Sequence, residues 1–308
     1  VTASVVRAEL PAALEGERID RVVAMLTDVS RAEATRLIAD GQVLVDGAVA
    51  TRGADRVHAG AQFEIEVAEP VEVEGPQADA AVELPVVHED EHVLVIDKPA
   101  GLVVHPGAGH DGATLVNGLL ARYPEIAEVG DPARPGIVHR LDQGTSGLLM
   151  VARSELAYEE LVEQLADRTV ERQYRTLVWG HLDSPRGVVD APIGRSPKHP
   201  TKMAVTERGK PARTRYEVVR PFEQPVEATE LVCRLETGRT HQIRVHLSAI
   251  GHSVVGDDRY HGVRQSLPCP RPFLHAELLG FDHPVTGEHL QFTSPLPADL
   301  QDVLDQLR

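Results

Sequence analysis

Three strand-like runs, RQYRTLVWG, ARTRYEVVR and ATELVCRLET, follow one another between Arg172 and Thr237. Period-two alternation places successive side chains on opposite faces of a strand. No helical repeat separates these runs, so a regular βα alternation and a doubly wound parallel sheet are disfavoured. The pattern predicts an α+β domain built around a mixed, mostly antiparallel sheet. VVHEDEHVLVIDKPAGLVVHPG adds two strand-like segments, 93–97 and 101–104, and residues 147–152 add another. HQIRVHLSAIG also reads as extended, with Arg244 and His246 on one face and Ile243 and Val245 on the other. Helices are expected at 114–122 and in SELAYEELVEQLADR, where Ser154 is a natural N-cap. Leu156, Leu161, Val162 and Leu165 are its expected buried side.

A smaller module precedes this domain. Arg18 to Thr27 carries Ile19, Val22, Val23 and Leu26 on one helical face. Ser30 and Glu33 form a capping-box pattern ahead of a second helix that stops at Gly41. VLVDGAVA places Asp-Gly between two short strands, a hairpin signal. AGAQFEIEV closes the unit with a further strand. The acidic, proline-containing stretch AEPVEVEGPQADAAVELP reads as a linker. The expected division is therefore an N-terminal segment 1–16, a small module 17–67, a linker 68–85 and a main domain 86–308.

The formal net charge of −16 argues against a nucleic-acid partner when taken alone. Its distribution is uneven, however. Residues 195–215 hold seven Lys or Arg against one acid, whereas Ala276 to Arg308 holds six acids against one base. No run of about 18 apolar residues is present, so a membrane span is not expected. The N-terminus lacks the pattern of a signal peptide. Cys233 and Cys269 match no paired metal-ligand spacing, and a reducing cytoplasm fits them.

IVHRLDQGTSG, residues 137–147, holds the clearest site candidate. Asp142 has the chemistry of a nucleophile or general base. Arg140 suits a phosphate or a base edge, and His139 suits either a phosphate or a structural role. Gly136, Gly144 and Gly147 would let the backbone turn sharply and come close to a ligand. Tyr174 lies between Arg172 and Arg175, where it is either a core residue or a stacking platform for a base. Arg239, His241, Gln242, Arg244 and His246 crowd into eight residues, a polar density that is costly to bury unless paired. Phosphate-binding loops, zinc-protease motifs, serine-hydrolase elbows and the zinc-deaminase signature are absent. A glycosidase would need a second carboxylate facing Asp142.

GIVHRLDQGTSGLLMVAR, RQYRTLVWG, TGRTHQIRVHLSAIGHSVVGDDRY, RPFLHAELLGFDHPVTGEHLQFTSPLP and DKPAGLVVHPGAG resemble the successive motifs of the RluA-type pseudouridine synthase family. RIDRVVAMLTDVSRAEATRLIADGQVLVDGAVA resembles an S4 RNA-binding domain. Together these matches span about residues 17–302 in the expected order. The arrangement is most like members that modify large-subunit ribosomal RNA.

The resemblance implies an isomerase that converts selected uridines in RNA to pseudouridine without a cofactor or metal. It implies the family's catalytic aspartate at Asp142, its active-site tyrosine at Tyr174 and the arginine that pairs with the aspartate at Arg244. Arg140 is expected to fill the space left by a flipped nucleotide, with His139 beside it. In the S4-like module Arg18, Arg21, Arg31 and Arg36 are the expected RNA contacts, although residues 1–80 hold seven Lys or Arg against fifteen acids. In the basic segment Lys198, Lys202, Lys210 and Arg213 are further candidates. The expected partner is structured RNA, probed in the cytoplasm by a monomer, with no membrane or obligate protein partner. The same chemistry on transfer RNA, and a non-catalytic S4-type RNA-binding protein, are the competing readings.

Overall fold

The computed structural model describes residues 3–27, 29, 31–68, 75–105, 112–199 and 201–308. The chain divides into two compact units, Val1–Glu74 and Gly75–Arg308.

The first unit contains β1 (Ala3–Glu9), α1 (Ile19–Thr27), α2 (Arg31–Ala39), β2 (Val43–Val45), β3 (Ala48–Val49) and β4 (Gln62–Ala68). Its sheet runs β1-β4-β2-β3. Asp46 and Gly47 both have positive φ, 51° and 78°, which is the backbone a two-residue hairpin turn demands. Val22 and Val23 of α1 and Leu37 and Ile38 of α2 pack with Val43, Phe63 and Ile65 of the sheet. The segment expected to precede the module is part of it, because β1 pairs antiparallel with β4 from Ala3↔Ala68 to Glu9↔Gln62. Ser30, the expected cap of α2, lies outside the described residues, as does the side chain of Glu33.

The second unit begins inside the stretch expected to be a linker. The Asp79 N–H donates to the Asn117 carbonyl, and Leu84 packs on the main core. Its elements are β5 (Val86–Glu89), β6 (Val93–Lys98), α3 (Leu115–Arg122), β7 (Ser146–Ala152), α4 (Glu155–Asp167), β8 (Glu171–Trp179) and β9 (Arg186–Asp190). They continue with β10 (Ile193–Arg195), β11 (Met203–Val205), β12 (Arg213–Phe222), β13 (Ala228–Leu235), α5 (Gln242–Ala249), β14 (Leu274–Asp282), β15 (His289–Thr293) and α6 (Ala298–Leu304). The large sheet runs β5-β6-β7-β14-β8-β13-β12-β9, with β15 paired to β14. Only the β7–β14 pairing is parallel among its described pairs, so the sheet is mixed and mostly antiparallel. The basic segment forms the separate β10–β11 pair.

Three local readings differ from the structure. Residues 101–104 form a turn and loop instead of a strand, with Gly101 at φ 91°. In α4, Ser154 does cap the helix, accepting from the Ala157 N–H. Its buried stripe runs through Ala157, Leu161 and Gln164, however, while Leu156 and Val162 face outward. A stripe at 157, 161, 164 follows the helical period, and small Ala157 allows closer approach to the sheet than Leu156 would. Finally, Gln242–Ala249 is a helix, not a strand. Every residue from Gln242 to Leu247 is buried. Burial on all sides removes the polar face that would reveal a helical period.

Candidate active site

Asp142 sits in the loop just before β7, and that loop is clamped from two sides. The Lys98 ammonium, at the end of β6, donates to the Pro99 and Leu102 carbonyls at 2.8 Å each and reaches the Gln143 carbonyl at 3.5 Å. The Gly101 N–H also donates to Gln143. From the other side Arg271 donates to the Gly144 carbonyl and the Ser146 hydroxyl, each at 3.1 Å, while its guanidinium grips Asp299. The glycines of this loop have a packing role that differs from the expected approach to a ligand. A Cβ on Gly147 (φ 110°) would stand 2.3 Å from the Ala276 carbonyl oxygen, so glycine is what lets β7 pair with β14 here. Gly136 is likewise pressed against the Ala152 carbonyl.

The partner of Asp142 comes from α5. Arg244 Nη1 donates to Asp142 Oδ2 at 3.0 Å. The same guanidinium forks onto Asp257, with Nε to Oδ2 at 2.6 Å and Nη2 to Oδ1 at 2.9 Å. Asp257 also accepts the Arg259 and Tyr260 N–H groups. Arg244 is therefore fixed by one buried carboxylate and offers its remaining edge to the other. Burial opposes its charge, but the bonds to Asp257 and the attraction of both carboxylates hold its pKa above the usual arginine value. The ring of Tyr260 lies under the guanidinium at 5.2 Å. His241, with φ 57° at the start of α5, stands 3.9 Å from Asp142 and bonds the Tyr260 hydroxyl at 2.8 Å. Burial lowers the His241 pKa, against the pull of Asp142.

The polar density of this segment is paired throughout. Gln242 accepts from Thr237 and Arg239 and donates to Arg213 and Thr214. His246 bonds Thr214 and the Ala191 carbonyl. These contacts make burial of the helix affordable.

Asp142, Tyr174, His139, Arg140, His241 and Arg172 line one cavity of about 520 Å³, a size within the range that holds a nucleotide-sized ligand. Tyr174 is buried on the cavity face of β8. Burial first, and then the negative charge of Asp142, push its hydroxyl up to about 12, while Arg172 opposes them. It is a neutral phenol at physiological pH. Arg140 is exposed at the rim, with Nη1 3.2 Å from His105 Nε2. His139 is instead tied inward, its Nε2 accepting the Met150 N–H at 3.1 Å. Burial and nearby Arg172 push its pKa down to about 3, so it is neutral and unsuited to pairing with a phosphate as a cation.

The expected RNA contacts outside the cavity are less available. Arg18 forks onto Asp20 at 3.0 and 2.6 Å, and Arg21 bonds Glu17 at 3.1 Å. Arg36 is exposed on α2, and the side chain of Arg31 lies outside the described residues. Lys198 and Lys210 are exposed, whereas Lys202 is tied to the Arg259 carbonyl at 2.7 Å. Arg213 lies between Asp190 at 3.8 Å and Glu236 at 3.5 Å, away from the cavity lining.

Lys98 and Asp257 carry structural weight that sequence reasoning did not assign. Both occur in the quoted motifs, but nothing local shows that Asp257 faces Arg244, thirteen residues away. Asp257 is a second carboxylate near Asp142, yet it is fully buried and engaged by Arg244 and two backbone N–H groups. It is not placed to protonate a leaving group, and the glycosidase arrangement is not met. Among the described residues no cluster of three or more His, Cys, Asp or Glu is placed to hold a metal ion. Nor is any helix among them long and apolar enough to cross a membrane.

Comparison with known proteins places these features in context. A family model described as RNA pseudouridylate synthase matches residues 92–249, and an S4 domain model matches residues 17–63. The chain is 46% identical over 314 residues to the ribosomal large subunit pseudouridine synthase D of Pseudomonas aeruginosa, covering 98% of this chain and 95% of that one. It is 43% identical over 295 residues to an uncharacterized RNA pseudouridine synthase of Bacillus subtilis, covering 96% and 95%. The solved structure of human RNA Pseudouridylate Synthase Domain Containing 1 aligns with a TM-score of 0.58 and 28% identity, covering 74% of this chain and 90% of that one.

Proposed function

This chain belongs to the RNA pseudouridylate synthase family, an isomerase family acting on uridine in RNA, and on that premise we propose that Asp142 carries the reaction here, on large-subunit ribosomal RNA. The reaction breaks the N1–C1′ bond, turns the uracil and joins C5 to C1′. Asp142 acts on the ribose, either by attack at C1′ or by removing a sugar proton. The observation that carries this reading is Arg244 bridging Asp142 and buried Asp257 at the wall of the cavity. That bridge holds one oxygen of Asp142 and leaves the carboxylate facing the cavity, an orientation set before substrate arrives.

Tyr174 stacks on the uracil and offers a neutral hydroxyl. With its pKa pushed up to about 12, a standing phenolate is not the agent that removes the C5 proton at neutral pH. Arg140, exposed at the rim, enters the space left by the flipped nucleotide. This offsets part of the unstacking cost of about a few kcal/mol. The walled cavity keeps water from the released base, which would otherwise be lost to give an abasic site. The S4 unit adds contacts to the RNA backbone that position the substrate without reading its sequence.

The relatives named as large-subunit enzymes favour ribosomal over transfer RNA. Nucleotide-resolution pseudouridine mapping of total RNA, from cells with and without this gene, tests the proposal. Loss of sites confined to large-subunit ribosomal RNA is expected. Loss confined to transfer RNA, or no loss, overturns the assignment.

A further inference from the structure

Arg172 and Tyr174 share one face of β8, since alternate residues of a strand point the same way. Arg172 is only 7% exposed, yet it lines the cavity that holds Asp142. Its Nε is buried without an acceptor among the described residues. Arg175, on the opposite face of the same strand, shows what a paired arginine looks like here, with Glu230 at 2.6 Å and Glu277 at 2.9 Å. The end of the Arg172 side chain passes close by Gly238. A Cβ on that glycine would stand 2.9 Å from Arg172 Nη1 and meet nothing else. Burial lowers the Arg172 pKa, while Tyr174 opposes that shift.

A buried guanidinium N–H without an acceptor is costly, because its hydration is lost and nothing replaces it. Such a cost persists where the missing acceptor arrives with the substrate. Its neighbour His139 also lines the cavity. With Nε2 accepting from Met150, the ring proton is assigned to Nδ1.

We propose that Arg172 receives the uracil of the flipped nucleotide and stabilises the negative charge the ring acquires when the N1–C1′ bond breaks. This rests on the reading of Asp142 and Tyr174 as the uridine site. The electron pair of the N1–C1′ bond leaves with the base and spreads over N1, O2 and O4. Arg172 donates hydrogen bonds to the charged ring and neither gains nor loses a proton. After the ring turns, C5 bonds C1′ and uses up the ring's negative charge; the C5 proton then passes to a base while N1 takes up a proton, which gives the neutral C-linked uracil. Donors fixed in a dry site act most strongly where charge develops, so Arg172 favours the transition state over the bound substrate. A backbone phosphate is the other acceptor RNA offers. The depth of Arg172 beside buried Tyr174 favours the base, since a phosphate brought there would lose its own water.

The test is single-turnover pseudouridine formation by the full chain on large-subunit ribosomal RNA from cells lacking the gene. RNA binding and thermal unfolding are measured in parallel, with Asp142→Asn as a control. For Arg172→Met a rate loss of about 100-fold is expected, with Kd for RNA within about threefold of the parent. Arg172→Lys should recover part of that loss. The deficit should shrink on RNA carrying 5-fluorouridine, whose more acidic base needs less help in leaving; there the rate is read as consumption of the N1-linked nucleoside, since C5 carries fluorine and has no proton to lose. Gly238→Ala keeps the guanidinium but pushes it aside, and should lower the rate in the same direction even if Arg172→Met folds poorly. An unchanged rate in both Arg172→Met and Gly238→Ala overturns the inference. A weakened Kd with the rate retained assigns Arg172 to a phosphate and also overturns it. An equal deficit on uridine and 5-fluorouridine RNA excludes a role in charge development. If Asp142→Asn retains the parent rate, the underlying site reading fails instead.

Discussion

Three arginines of the first unit and two arginines of the cavity are held in opposite ways. In the first unit Arg7, Arg18 and Arg21 each bond a carboxylate, Glu64, Asp20 and Glu17 respectively. Around the cavity of the second unit, Arg140 bonds neutral His105 and Arg172 has no ion pair among the described residues. Lys98 is satisfied by carbonyl oxygens instead of an acid. Arg140 and Arg172 are thus left without a carboxylate, unlike Arg134 and Arg168 of the same cavity lining, which pair with Asp131 and Glu236. The net charge of −16 is an excess of acids over the whole chain. Whole-chain charge sums over pairs that cancel locally and says little about one cavity.

Arg244, beside the cavity, is paired with both Asp142 and Asp257, and its removal should have the largest effect. Arg244→Met leaves Asp257 buried without its counter-ion, at a cost of about 3–5 kcal/mol of stability. It should also lower turnover by about 1000-fold or more, because Asp142 loses its fixed orientation. Urea unfolding and single-turnover assays check the two effects. A stable, active variant would show that the bridge between the carboxylates is dispensable.

Tyr174→Phe sharpens the role of the neutral phenol. Loss of one hydrogen bond in the cavity should slow turnover by about 10- to 100-fold, with RNA binding retained. An unchanged rate would leave stacking as its sole contribution.

Lys98 gives the contrast a pH signature. Burial, opposed by the charge of Asp142, pushes its pKa from 10.5 down to about 7. Between about pH 7 and 10.5 the unfolded chain keeps this proton and the folded chain releases it. The unfolded state then binds more protons, so stability from this group rises with pH across that window. The slope is at most about 1.4 kcal/mol per pH unit. Urea unfolding from pH 6 to 10 should show a steeper rise for the parent than for Lys98→Met. Parallel curves would mean that the buried ammonium keeps its proton.

The smallest effect is expected in the first unit. Arg21→Gln removes an exposed pair with Glu17 worth about 0–1 kcal/mol. Its Kd for RNA should change by less than about threefold, while Glu17→Gln, which frees the arginine, should tighten binding slightly. A tenfold weakening in Arg21→Gln would show that Arg21 exchanges its carboxylate for a phosphate on the RNA.

Elements with one buried face were readable from the chain. The Asp-Gly hairpin and α4 show this, whereas β8 and β13 are buried on both faces over much of their length and were legible only as strand-rich runs. The α5 helix was not, because Ile243, Val245 and Leu247 happen to alternate while Gln242, Arg244 and His246 are buried through side-chain partners. Those partners lie far off in the sequence, as with Asp142, which is 102 residues from Arg244. Asp142, Tyr174 and Arg244 were named through family resemblance, and the structure brings all three to one cavity or its wall. The same local view could not show that His139 is tied to a backbone N–H, or that Arg18 and Arg21 are already paired.

The central claim is that Asp142, presented by Arg244, performs the isomerisation in a cavity where Arg140 and Arg172 await the RNA. The most direct test is Asp142→Asn under single-turnover conditions on large-subunit ribosomal RNA, with binding measured on the same preparation. The account predicts a rate loss on the order of 10⁴-fold or more, with Kd for RNA within about threefold of the parent. Pseudouridine formation at the parent rate by Asp142→Asn would contradict it.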